Sequence, residues 1–348
     1  MHIFGWDIGG AHLKVARLDA SGMVDRVHQL ACPLWRGVGE LARAVRLIEQ
    51  DLAVADAVHA VTMTGELCDV FTSRTDGVRQ ILGALGQLLG DGARVRVFGG
   101  YAGWLSPVEA IAGGADDVAS ANWLALAAYV AELVGDGVLV DVGSTTTDII
   151  PFRAGEVCAL GRDDASRLAH GELVYTGVVR TPVASLCRQV PFRGRWQPLA
   201  AEYFANAADV HRLCNTLADG LDLMETADGA GKDRVASARR LARMVGCDLD
   251  HGVAIEEVTA LAHYLARCQR ESVADALALV TSSAPQTLGN VPVVSAGAGD
   301  FLVGAVAASI GRPLRTFASL VHAEPEVAAA ATVAAPAVAA ARLAWMTR

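Results

Sequence analysis

Apolar runs of four to six residues alternate along this chain with longer stretches of helical period. His2–Trp6 reads as a short strand, followed by Asp7-Ile8-Gly9-Gly10-Ala11-His12-Leu13-Lys14 and a return strand Val15–Leu18. Leu41, Val45, Leu47 and Ile48 define the apolar face of a helix over Trp35–Asp51. Next come a strand over Ala57–Thr64, a helix over Asp76–Leu89, a strand Val95–Phe98 and a helix Val118–Val134. Three more strands are expected at Gly137–Asp141, Thr147–Phe152 and Val157–Leu160. The alternation then breaks: helices over Leu199–Thr216, Lys232–Val245 and Ile255–Leu279 come without intervening long strands. It resumes with a strand Pro292–Ser295, a helix Phe301–Ile310 and a strand Leu314–Phe317. An Ala-rich buried helix over Glu324–Trp345, interrupted by Pro336, closes the pattern.

The stretch Val138-Leu139-Val140-Asp141-Val142-Gly143-Ser144-Thr145-Thr146-Thr147-Asp148-Ile149-Ile150 repeats the design of the N-terminus. Laid over each other, Asp7 falls on Asp141, Gly9 on Gly143 and Lys14 on Asp148. Two such units in register imply two related halves, expected to face each other across a cleft. A glycine in the turn lets backbone approach a ligand, and turn amides with the hydroxyls of Ser144, Thr145 and Thr146 can donate to phosphate oxygens. Gly9 and Gly10 offer the same in the first turn. Asp141 or Asp148 could hold a Mg²⁺ on those oxygens or orient a nucleophile. Lys14 suits a point charge on phosphate, or is a solvated strand lysine. Gly297-Ala298-Gly299-Asp300, ahead of a helix, is a third glycine turn able to approach a nucleotide or diphosphate.

On these turns the chain resembles the acetate kinase, sugar kinase, Hsp70 and actin superfamily, and within it the hydantoinase/oxoprolinase-related proteins. Met63-Thr64-Gly65-Glu66-Leu67, Tyr175-Thr176-Gly177-Val178-Val179-Arg180-Thr181-Pro182 and Thr226-Ala227-Asp228-Gly229 extend the resemblance to the branch linked to tetrahydromethanopterin C1 transfer, which includes the methanofuran-biosynthesis ether synthase. The resemblance implies an α/β fold of two RNase H-like domains around a cleft, 1–130 and 131–348, with a mostly helical, substrate-specific insertion at about 161–290. It implies an enzyme that couples a γ-glutamyltyramine- or tyrosine-like phenol to an aminomethylfuran methyl diphosphate and releases pyrophosphate. Asp7, Lys14, Asp141 and Asp148 would be catalytic, with Mg²⁺ at Asp7 and Asp141. Two alternatives stand beside it: an ATP-dependent kinase or amidohydrolase, and a nucleotide-binding protein without turnover.

Substrate contacts are expected from residues beyond strand ends and in the insertion. Glu66 follows the strand 57–64, where open α/β sheets place ligands; it could equally sit in the first turn of a helix. Asn122 opens the helix before the central unit. Tyr175 could stack on an aromatic ring and Arg180 could fork onto a carboxylate or diphosphate, unless both belong to a strand with a structural ion pair. Arg239 and Arg243, four apart on one helix, could meet an anion or form a solvated face.

Composition narrows the rest. A net charge of −9 without a basic block argues against nucleic acid as a partner. With 53% hydrophobic and 19% charged residues the core is ample, and no run is long and apolar enough for a membrane span. The seven scattered cysteines, without a C-x-x-C pair, read as reduced thiols. A strand at the very start leaves no room for a signal peptide, so a cytoplasmic protein, compatible with a homo-oligomer, is expected.

Overall fold

A computed structural model describes residues 1–54, 56–284 and 288–347. Residues 55, 285–287 and 348, which fall inside the expected domain and insertion ranges, lie outside the described residues. The chain divides into two compact units. One comprises Met1–Gly137, Phe152–Cys158 and Thr316–Arg348, the other Val138–Pro151 and Ala159–Arg315.

The first unit is built on strands β1 (Ile3–Ile8), β2 (His12–Leu18), β3 (Val24–Ala31), β4 (Val58–Met63), β5 (Arg94–Phe98) and β6 (Trp104–Leu105), in the order β3-β2-β1-β4-β5-β6. β1 runs antiparallel to β2 and parallel to β4. Every residue of β1 and β4 is buried, as expected for central strands covered on both faces. Phe4, Trp6 and Ile8 share one core with Leu41, Val45, Val78, Ile81 and Leu85 of helices Gly39–Arg46 and Arg74–Leu89. Strand alternation therefore turns Gly5 and Asp7 to the opposite face. There helix Ala335–Met346 packs on β1, β2 and β4, and on helix Asn122–Val134.

The second unit is built on β7 (Gly137–Val142), β8 (Thr147–Arg153), β10 (Leu173–Val174), a hairpin β11 (Gln189–Phe192) and β12 (Arg195–Pro198), β13 (Val293–Ala296) and β14 (Leu314–Thr316), while the short β9 (Glu156–Val157), paired with the end of β8, groups with the first unit. Its main sheet has the order β10-β8-β7-β13-β14, with β13 parallel to β7 and β10 antiparallel to β8. That order reproduces β3-β2-β1-β4-β5 strand for strand, so the chain carries two RNase H-like α/β units. Asp7 and Asp141 are each the fifth residue of a six-residue first strand.

Between β10 and β13 lies the insertion, with helices Ala207–Leu213, Arg234–Arg243 and Ile255–Ser282 around a core of its own that includes Val210, Leu241, Leu261 and Leu265. Among the described residues, no helix is long and apolar enough to cross a membrane.

Several expectations need correction. The helix expected over Leu199–Thr216 begins only at Ala207, because Asn206 caps it by accepting from the Asp209 amide. The helix expected from Val118 begins at Asn122, since Ser120 adopts a left-handed φ of 53° and breaks the turn before it. The segment Tyr175–Pro182 is a loop, which removes the strand alternative for Tyr175 and Arg180, and the hairpin β11–β12 was not anticipated. The second domain was expected to run to 348, yet Thr316–Arg348 groups with the first unit. The cause is the small-residue face of the last helix: a Cβ on Gly5 would stand 1.9 Å from the Ala337 carbonyl oxygen and 2.8 Å from Ala341 Cβ.

That contact is testable. Gly5→Ala should overpack this seam and cost about 1–3 kcal/mol in urea denaturation. Unchanged stability would mean that the last helix does not pack against β1 at Gly5.

Candidate active site

In the first unit the β1–β2 register puts Lys14 directly across from Asp7. Lys14 Nζ lies 3.9 Å from Asp7 Oδ2, and Asn122 Nδ2 donates to Asp7 Oδ1 at 3.4 Å. Asn122 is held in turn by the Trp123 amide, which donates to its Oδ1 at 2.7 Å. Two of the expected residues, Lys14 and Asn122, thus converge on the buried carboxylate of a third, Asp7, beside the Gly9–Gly10 turn, which is closed by Gly9 N–H donating to the His12 carbonyl at 3.0 Å.

Glu66 lies one short helical turn beyond β4 and is buried. Its Oε1 accepts from the Ser120 amide at 2.9 Å and the Ser120 hydroxyl at 3.2 Å. Its Oε2 is buried without a hydrogen-bond partner among the described residues. Burial pushes the carboxyl up to about 7, against the pull of the Ser120 donors and Arg74. The left-handed Ser120 is a residue that sequence reading missed. A non-glycine φ of that sign signals a constrained position, and here it aims two donors at Glu66.

In the second unit the turn after β7 is closed by Gly143 N–H donating to the Thr146 carbonyl at 2.8 Å. The loop 176–181 lies against it: the Val178 amide donates to Gly143 O at 3.1 Å, and the Val179 and Arg180 amides donate to Ser144 O at 3.1 and 2.8 Å. Arg180 Nη1 donates to Thr145 Oγ1 at 3.4 Å, so its guanidinium stands on the hydroxyl turn. Ser144, Thr145 and Thr146 are half-buried, and Tyr175 beside them is 57% exposed, with its ring available for stacking.

Gly297 completes this side. β13 runs parallel to β7 with Ala296 level with Asp141. The next residue has a φ of +85°, and a Cβ on it would stand 2.2 Å from Asp141 Oδ1 and 2.3 Å from the Val142 carbonyl oxygen. Glycine is therefore required for the third turn to reach Asp141. Gly299 N–H then donates to Val142 O at 2.8 Å and leads into helix Asp300–Ser309.

Two expected residues fall elsewhere. Asp148 accepts from the buried Arg167 at 2.5 Å, an ion pair whose partner the sequence did not point to. Burial raises the Asp148 carboxyl and Arg167 opposes the shift. One Asp148 oxygen is thus committed to structure. Arg239 sits on the exposed side of its helix, while Arg240 turns inward. Arg240 bonds Asp209 at 2.6 Å, Asp228 at 3.0 Å and the Gly231 carbonyl at 3.0 Å, and Arg243 also reaches Asp228, at 3.1 Å. The basic helix ties down the 226–231 loop, and its inward face is the one through Arg240 rather than Arg239.

The donors present are carboxylates, hydroxyls and backbone amides. No group of three His, Cys, Asp or Glu side chains forms a metal cage among the described residues. Mg²⁺ takes one or two carboxylates and completes its shell with water and phosphate, so single carboxylates such as Asp7 and Asp141 suit it better than a transition metal.

Two RNase H-like units, each with a buried aspartate one residue before the end of its first strand and a glycine turn just after it, define the fold class of this protein. A solved structure of nucleotide-free acetone carboxylase shares the fold, with a TM-score of 0.57 at 11% identity over 97% of this chain and 70% of that one. The family model for hydantoinase/oxoprolinase matches residues 57–345, and the chain belongs to that family. A protein of Methanocaldococcus jannaschii is 36% identical over 247 residues, 71% of this chain and 72% of that protein. It is named as the synthase of a furan-2-yl methanamine bearing a γ-glutamylaminoethyl-phenoxymethyl group. A protein of the same name from Methanococcus vannielii is 33% identical over 127 residues, 36% of this chain and 57% of that protein.

The Glu66 carboxyl gives a pH prediction. Its folded-state value, about 7, lies above the ordinary 4.5. Its contribution to stability is therefore complete below the unfolded value and is lost as pH rises through about 7. Glu66→Gln keeps the acceptor for Ser120 and removes the buried charge. In urea titrations it should be more stable than the parent by up to about 3 kcal/mol at ~pH 8 and nearly equal to it at ~pH 4. A difference independent of pH would contradict the burial of this group.

Proposed function

We propose that this chain is an aryl-ether-forming transferase of methanofuran-type cofactor biosynthesis. It joins a γ-glutamyltyramine- or tyrosine-like phenol to an aminomethylfuran methyl diphosphate and releases pyrophosphate. The observation that carries this reading is the 36% identity, across more than two thirds of both chains, to a protein named for a phenoxymethyl-furan product. Such a product contains an ether between a phenol oxygen and a furan-bound methylene.

That product dictates the bond changes. A lone pair of the phenol oxygen attacks the methylene carbon, the bond from that carbon to the diphosphate oxygen breaks, and its electron pair leaves with pyrophosphate. The phenol proton passes to a carboxylate. Positive charge that develops on the methylene is delocalised into the furan, so the larger demand is on the leaving group, whose charge must be neutralised. In the second unit the Gly143–Thr146 turn and Arg180 supply amide, hydroxyl and guanidinium donors for it. The turn at Gly9–Gly10, through the Gly10 amide, and Lys14 offer equivalent donors in the first unit. Mg²⁺, held at Asp7 or Asp141, would add charge neutralisation at the diphosphate when bound. Asp141 either takes the phenol proton or holds the metal. Tyr175 presents a flat surface for the phenol ring, and Glu66 and Asn122 are the proposed substrate contacts of the first unit.

An ATP-dependent reaction is the second reading, and the Gly297–Gly299 turn ahead of helix Asp300–Ser309 favours it, since such a turn accepts the phosphates of a nucleotide equally well.

The position of Arg180 alters one expectation. As a fork for the carboxylate of the phenolic substrate, it would govern that substrate's KM. Its bond to Thr145 supports the diphosphate reading instead. Pyrophosphate release is to be measured with both substrates and no ATP. Arg180→Lys keeps the charge but loses the planar fork, and should raise the diphosphate KM about tenfold with a smaller change for the phenol. Asp141→Asn should lower kcat by about a hundredfold or more with the melting curve of the parent. Parental turnover in Asp141→Asn, or strict dependence of the parent on ATP, would overturn the proposal.

A further inference from the structure

The helix Ile255–Ser282 buries an apolar stripe through Val258, Leu261, Leu265, Val273 and Leu277, and one amide stands in that stripe. Gln269 is 1% exposed. Its Nε2 donates to Thr176 Oγ1 at 3.0 Å and to the Gly177 carbonyl at 2.9 Å. Its Oε1 lies 2.7 Å from Nε2 of the buried His211, whose Nδ1 lies 2.9 Å from Thr216 Oγ1.

The partners fix the direction of every bond in this row. The Gly177 carbonyl can only accept, so the Gln269 nitrogen faces it and Oε1 faces His211. His211 must then carry its proton on Nε2 and accept from the Thr216 hydroxyl on Nδ1. Burial lowers the affinity of His211 for a second proton, which keeps the ring in this neutral form. The ring is also steadied edge-on by Phe301, at 5.2 Å between centroids.

Gly177 is where the row meets the hydroxyl turn. A Cβ there would stand 2.4 Å from the Thr145 amide nitrogen and 2.6 Å from the Ser144 carbonyl oxygen, so the two backbones are in direct contact. Thr181 Oγ1 closes the loop on the same glycine, accepting from its amide at 2.7 Å and lying 2.9 Å from its carbonyl. Thr147 Oγ1 donates to the Thr176 carbonyl at 2.5 Å, joining the loop to the start of β8. The Ser144–Thr145 peptide is therefore braced from behind by a loop whose own orientation is set by a side chain of the insertion.

We propose that Gln269, oriented by His211, is a positioning residue that fixes the Ser144–Thr146 turn for diphosphate through Thr176 and Gly177. This rests on the reading that the turn holds the diphosphate. Donors must be held within about half an ångström to act on a leaving group, and a turn of half-buried hydroxyls has few contacts of its own to achieve that. The insertion would thus set both substrate choice and the geometry of the phosphate turn, through one buried amide.

The test is calorimetric titration of the whole protein with inorganic pyrophosphate and Mg²⁺, paired with steady-state kinetics. Gln269→Met keeps length and bulk but removes both donors. It should weaken pyrophosphate binding about tenfold and raise the diphosphate KM by a similar factor, leaving the KM of the phenolic substrate near the parent value. His211→Phe keeps the ring against Phe301 and removes its bonds to Gln269 and Thr216 while leaving the Gln269 donors in place, so it should shift both quantities in the same direction by less. It also serves if Gln269→Met does not fold. Thr145→Ala acts on the turn itself and separates the two claims. If Thr145→Ala weakens pyrophosphate binding while the Gln269 and His211 variants change only the melting temperature, Gln269 is a packing residue and the inference is overturned. If Thr145→Ala leaves binding unchanged, the phosphate reading of the turn fails and the inference falls with it.

Discussion

In both units the structure depends on how closely the end of one parallel strand approaches the end of its neighbour. After β13, Gly297 comes so near that a Cβ would meet the Val142 carbonyl oxygen at 2.3 Å. After β4, Gly65 does the same to the Ile8 carbonyl, at 3.0 Å. Val142 and Ile8 are the last residues of β7 and β1, each directly after the buried aspartate. The constraint is steric and strictest at Gly297, where only a residue without a side chain lets the second backbone pass the aspartate-bearing strand end at this distance; at Gly65 the backbone contact is looser. Beyond the two glycines the units part ways. The first unit continues to Glu66 and the second to the helix at Asp300.

The repeat was legible because its chemistry is local. Asp7 and Asp141 each lie within a dozen residues of their own glycines and of the apolar run before them, so the overlay of sequence is an overlay of structure. Tyr175 and Arg180 stand out in the sequence because a Thr/Gly-rich loop with a lone arginine is conspicuous in an Ala- and Val-rich chain, and the structure sets Arg180 on Thr145. The features that escaped detection were decided by partners distant in sequence. Asp148 was read as chemistry because nothing near it named Arg167, nineteen residues on, as its ion-pair partner. Arg239 was preferred to Arg240 because spacing along a helix gives a face but not which side is inward, and that depended on Asp209, 31 residues upstream of Arg240. The last helix was assigned by chain order to the second domain, while its packing depends on Gly5 at the other end of the chain. Gln269 did leave a signal: a polar residue four after Leu265 and four before Val273 in a buried stripe.

The two units differ in the groups they gather. The first unit gathers a lysine, an asparagine and two carboxylates around one strand edge, with Glu66 buried where its charge is costly. The second gathers hydroxyls, amides and a guanidinium around Asp141, and braces them from an insertion with its own core. Hydroxyls, amides and guanidinium match the oxygens of a diphosphate, whereas a buried carboxylate matches a cationic or hydrogen-bonding group of an organic substrate. The aminomethyl group in the products of the methanogen relatives is a group of that second kind.

The central claim is that the phenol oxygen becomes the ether oxygen. The direct measurement is mass spectrometry of products formed from phenolic substrate labelled with oxygen-18 at the hydroxyl, together with the furan-methyl diphosphate and Mg²⁺, in the absence of nucleotide. The ether should keep the label and the pyrophosphate should carry none. Label retained in an aryl phosphate, formed only when ATP is added, would contradict this and identify a kinase instead.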